Sequence, residues 1–182
     1  MSEMKYGWAY GGHKGVEVPV GADQYFHRQG GHFVVASPAT GYVTVATAAN
    51  TALFGYAEVP KDADGKNAWK SSSTNGSDKV FVITDPTAVY AIPCQTAASI
   101  TQALVGDKRE IITAGATYSL KQYISAVATT TDVLIVEKVD TDNDIVYLRI
   151  NPAKLKRNAV SAYSNRTCID IAVSSAPRTP VT

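Results

Sequence analysis

Two runs of β-forming residues, 132–139 and 145–150, flank Asp140-Thr-Asp-Asn-Asp144, whose short polar side chains tolerate turn backbone and hydrogen-bond to it. This pattern is a β-hairpin, and from residue 32 onward the chain shows short β-type runs bounded by turn residues. Stretches 32–36, 41–47, 52–59, 79–84, 88–92, 110–113, 117–120 and 123–128 carry Val, Ile, Tyr, Phe or Thr between turn residues. A further strand is expected near Cys168 to Val173. Only 96–104 reads as helical, with Ile100 and Leu104 four apart and Gly106 as a stop, and two turns are too short to hold without packing. The expected fold is mainly β: a β-barrel or β-sandwich body with one short helix and an extended N-terminal arm.

The arm is residues 1–31, the body 32–173, and the tail 174–182. In the arm, Gly7, Gly11, Gly12, Gly15, Gly21, Gly30 and Gly31 alternate with Tyr6, Trp8, Tyr10, Tyr25 and Phe26, without sustained helical or strand periodicity. A glycine-rich segment loses much chain entropy on ordering, so it stays mobile unless its aromatic rings find pockets. Those pockets lie either on another subunit or on the chain's own core, and at this level both alternatives stand. Fully extended, such an arm reaches on the order of 100 Å. The five aromatics are the candidate partner-binding anchors, and removing residues 1–30 is expected to leave a folded body that no longer binds its partner. Within the body, 61–78 reads as a long polar surface loop, either functional or flexible, with Trp69 its one candidate for burial.

Charge and chemistry narrow the function. Charged residues make up 18% of the 182, below the roughly 25% of typical soluble domains, and the formal net charge is +1. A charge-poor, Thr-rich surface suits strands and protein contacts, and nucleic acid is not an expected partner. Lys154, Lys156 and Arg157 read as a solvated turn after a strand. No run approaches the roughly 18 apolar residues of a membrane span. The opening residues lack a secretory apolar stretch, so an aqueous, cytoplasmic setting is expected. Cys94 and Cys168 sit in apolar runs and read as reduced core residues, with a pair between them the alternative. Asp140, Asp142 and Asp144 alternate like the opening of a calcium loop, but Ile145 and Asn151 stand where such a loop needs Gly and a bidentate Glu. Asp62-Ala-Asp-Gly65 also reads as a turn. His13, His27 and His32 match no zinc spacing and read as arm or loop histidines. No nucleophile elbow or phosphate loop occurs, so the chain is expected to be no enzyme, with no catalytic residue, metal or cofactor.

Three stretches carry a family resemblance: the glycine-punctuated entry with 41–47; 80–93 with Val105-Gly-Asp-Lys108; and 131–152, a β-strand, an Asp-Thr-Asp-Asn turn and a hydrophobic strand ending at Asn151. Together they cover under half of the chain. Their order resembles the decoration, or cement, proteins that stabilise the heads of tailed bacteriophages. The resemblance implies a β body with an N-terminal arm, self-association as a homotrimer ahead of a dimer, and binding to the outer face of the major capsid protein lattice. It places the protein on the phage head exterior of the virion, assembled in the bacterial cytoplasm. The family has no catalytic signature to carry over. Two other readings compete: a phage tail or baseplate component, and a carbohydrate-binding adhesin using Trp69 and the 61–78 loop.

Overall fold

A computed structural model describes residues 6–27, 30–60, 64–65, 70–94, 100–114, 121–125, 127 and 131–156. The protein is mainly β, with a curled, barrel-like sheet packed against a second antiparallel sheet. The first sheet orders β2 (Gly15–Pro19), β6 (Lys79–Ile83), β5 (Gly55–Ala57), β3 (His32–Ala36) and β4 (Val43–Val45). Its edges meet: Val20 bridges Val43 in parallel, and Gly21 N–H donates to Val43 C=O at 2.8 Å. The second sheet orders β1 (Gly7–Tyr10), β7 (Val89–Pro93), β12 (Ile145–Ile150), β11 (Leu134–Asp140) and β8 (Lys108–Arg109). A hairpin of β9 (Ile111–Ala114) and β10 (Lys121–Ile124) completes the body.

Strand periodicity explains why the first sheet is apolar on both faces. Side chains alternate across a strand, so Val34, Ala57 and Val82 enter the barrel interior with Val18, Val20, Phe26 and Phe54. Their neighbours Phe33, Tyr56 and Ile83 enter a larger core shared with Tyr90, Ile92, Leu134, Leu148 and Ile150 of the second sheet. Phe33, Tyr56 and Tyr90 meet ring to ring at 4.7–5.2 Å. Gln122 ties the β9–β10 hairpin to the barrel. Its Oε1 accepts from Phe33 N–H at 2.6 Å, and its Nε2 donates to the carbonyls of Phe33 and Ala46 at 3.0 and 2.9 Å.

The glycine-rich entry is the main correction. Residues 6–27 do not extend away from the body: β1 pairs with β7, and β2 pairs along its length with β6. The glycines serve close packing. At Gly11, where φ is +88°, an added Cβ would lie 2.2 Å from Thr87 C=O, and at Gly15 another would lie 2.2 Å from Val82 C=O. Of the two alternatives the sequence left open, residues 6–27 follow the second: they pair with the chain's own strands, and Val18, Val20 and Phe26 enter its core.

Smaller corrections follow the same logic. Within 96–104, residues 96–99 lie outside the described part, and of 100–104 only Gln102–Leu104 are helical, as a single 3-10 turn. Thr101 and Val105 are extended on either side, and no side chain caps the turn. Of the polar loop, 70–78 is pinned to the segment after β2. Ser71 Oγ donates to Gly21 C=O and accepts from Gln24 N–H, at 2.7 and 2.8 Å, and Ser71 and Asp78 are buried. Trp69, Cys168, the strand expected near 168–173 and the 174–182 tail lie outside the described residues. His32 is a strand residue of β3, buried, its Nδ1 accepting from His27 N–H at 2.9 Å. Cys94 is a buried free thiol.

Candidate interaction surface

The five arm aromatics separate into different environments. Phe26 is only 3% exposed inside the barrel, with its ring edge-on to His32, so it anchors the chain's own core and not a partner. Tyr25 bridges to Lys70, whose Nζ lies 5.4 Å from the ring centre and 2.7 Å from Asp23 Oδ1. The hydrogen bond to Asp23 raises the Lys70 ammonium above its ordinary value, keeping it charged. Tyr6 is half-buried and edge-on to His27, and burial, then Tyr123 nearby, raises its phenol above the ordinary value.

Trp8 and Tyr10 remain on the surface, 39% and 47% exposed. They lie on β1, an edge strand of the second sheet, with a register shift between them: Trp8 stands opposite Tyr90 and Tyr10 opposite Val89. Each ring has a partner the sequence did not flag. Trp8 meets His13 edge-on at 4.8 Å, and His13 stacks on Phe81 of β6 at 5.6 Å while its Nε2 pairs with Glu58 Oε1 at 3.1 Å. Tyr10 lies 6.2 Å from Tyr147 of β12, and Lys138 of β11 sits over that ring at 5.4 Å. Along β1 the aromatic strip therefore consists of two groups, Trp8 with His13 and Phe81 toward the barrel and Tyr10 with Tyr147 toward the hairpin that the sequence marked most clearly. No protein-family model matches the chain, and no curated protein or solved structure matches it.

Exposed aromatic faces with a lysine and a histidine–glutamate pair at their margins provide large apolar contact area with polar tips. The buried phenols of Tyr56 and Tyr90 are pushed well above their ordinary value by burial, so they stay neutral in the core. Asp140 works as a turn former: its Oδ1 accepts from the N–H groups of Asp142 and Asn143, at 3.2 and 3.1 Å, between β11 and β12. Asn143 Nδ2 donates to its other oxygen at 3.0 Å. Among the described residues, no three His, Cys, Asp or Glu side chains cluster to hold a metal, and no helix is long and apolar enough to cross a membrane.

Proposed function

We propose that this protein is a structural subunit of a tailed-phage head, a capsid decoration or cement protein that docks on the outer face of the major capsid protein lattice. The supporting observation is the exposed aromatic pair Trp8 and Tyr10 on an edge strand, flanked by His13, Phe81 and Tyr147. It joins the family-like order of strands and the β body. Edge strands suit this role, because backbone groups on the open side are available to a partner while the rings supply the buried anchors that dominate interface energetics. Repetition around a symmetric shell, as a homotrimer or dimer on the virion, multiplies modest contacts into firm attachment.

The test is binding of the purified chain to shells that lack this subunit. The Trp8→Ala/Tyr10→Ala variant is expected to bind at least about ten-fold more weakly while keeping its unfolding midpoint. Undiminished binding removes the aromatic strip from the interface, and no binding by the native chain removes the head reading.

A further inference from the structure

His13 sits on the link between β1 and β2, and that link is pinned on both sides of it. Gly12 N–H donates to Thr87 Oγ1 at 3.2 Å, and Lys14 C=O accepts from Thr84 N–H at 2.9 Å. The His13 side chain itself is exposed, so it can leave its place by rotating about its own bonds while the backbone stays put. Its ring lies nearly parallel to that of Phe81, at an interplanar angle of 28°, and at a steep 70° to that of Trp8. Its Nε2 is 3.1 Å from Glu58 Oε1.

Around the imidazole is a planar slot with an acidic margin. A Cβ added at Gly15 would come within 2.7 Å of Phe81 Cζ, so the Phe81 ring lies close over the β2 backbone. Glu17 stands opposite Phe81 in the register of β2 and β6, and directly paired residues project from the same face of a sheet. Two exposed carboxylates, Glu17 and Glu58, therefore stand beside one half-buried aromatic ring. Of the nearby lysines, Lys79 Nζ is 3.9 Å from Glu17 Oε2, and Lys14 lies near Asp85.

A flat, N–H-bearing group that stacks on one ring, meets a second and bonds to a carboxylate has the chemistry of an arginine guanidinium. A lysine ammonium is a compact point charge and gains little from a flat slot. His13 is flat and bears nitrogen in the same way, and it holds the place such a group would take.

We propose that Trp8, Phe81 and Glu58, with Glu17 beside them, form a seat for an arginine side chain of a partner protein, which His13 fills in the free protein and leaves when the arginine enters. The partner's identity rests on the docking reading above, in which the arginine belongs to the major capsid protein; the seat rests on the geometry around His13. The guanidinium stacks on Phe81 and turns two N–H groups to the Glu58 carboxylate. Because it must displace His13, a lone cation binds weakly, and the contact becomes firm where other contacts already hold the partner in place.

NMR of the full chain tests the seat with three capped tripeptides: acetyl-Gly-Arg-Gly-amide and its lysine and citrulline counterparts. Citrulline keeps the shape of arginine and loses the charge. The arginine peptide is expected to shift the ring signals of Trp8, His13 and Phe81 along one saturating curve, with a Kd on the order of 1–10 mM. The other two peptides are expected to bind at least about three-fold more weakly. Glu58→Gln should weaken the arginine peptide at least about three-fold, and His13→Ala should tighten it at least about two-fold by emptying the seat beforehand. Both substitutions fall on exposed side chains, and unchanged Val34 and Val82 signals show the barrel intact. No saturating shift, or equal binding of the three peptides, overturns the proposal. So does arginine-peptide binding indifferent to Glu58→Gln, or left unchanged or weakened by His13→Ala. The peptides carry nothing of a capsid, so a chain that binds the arginine peptide but ignores shells keeps its seat and loses only the head reading.

Discussion

Trp8 and Phe26 belong to one glycine-punctuated stretch of sequence and end in opposite surroundings, one half-open to solvent and one sealed in the barrel. Their substitutions should separate accordingly. Phe26→Ala is expected to cost about 3–5 kcal/mol through the lost burial and the cavity left behind, whereas Trp8→Ala should cost less than about 1 kcal/mol. Urea unfolding measures both, and equal losses would contradict the placement. Composition marked these aromatics as important but not which way each would face, because that depends on strand pairings with β6 and β7 far along the chain. Phe81 and Tyr147 escaped notice for the same reason, and His13 was read only as an arm or loop histidine. Asp140 was legible, since a capping carboxylate acts on its own turn. Its hydrogen bonds, from the Asn143 side chain foremost, hold the carboxyl below the ordinary 3.8. The stabilisation it gives the turn is therefore complete above that ordinary value and is lost as pH falls through the lowered one. An NMR titration should find its midpoint below 3.8, moving upward in Asn143→Ala; a midpoint at or above the ordinary value in the native chain would refute the capping role.

At the level of elements, β1 and β2 decide what the entry segment can do. Deleting residues 1–30 removes both strands and takes Val18, Val20 and Phe26 from the barrel interior. Each such side chain contributes roughly 1.5–3 kcal/mol, a combined loss comparable with a typical domain's whole stability of about 5–15 kcal/mol. The truncated chain is expected to lose cooperative unfolding by circular dichroism; a sharp thermal transition in it would restore the detachable arm. Gln122 offers a finer probe. Gln122→Met keeps the bulk but leaves Phe33 N–H and Ala46 C=O without their side-chain partner, at about 1–3 kcal/mol for each group unsatisfied; no loss in urea unfolding would contradict the tie. The alternating runs announced β3, β6, β7, β11 and β12 to within two residues, because a half-buried strand writes its period into the sequence. β1 and β2 were not announced: their glycines serve close backbone contact with Thr87 and Val82, which local composition cannot distinguish from a mobile linker.

For the whole molecule, the two-core construction leaves one open aromatic strip on the β1 edge and one apolar groove beside Leu155. The first is the surface proposed to meet the capsid lattice. The mainly β architecture was readable from alternation and turn chemistry. The position of the strip was not, since it exists only once β1, β6 and β12 are brought together. Cryo-electron microscopy of the assembled particle is the most direct test of the proposed role. The account predicts density for this protein on the head exterior, with Trp8 and Tyr10 pressed against the major capsid protein. Density in the tail, or on the head with the β1 edge turned to solvent, would contradict it.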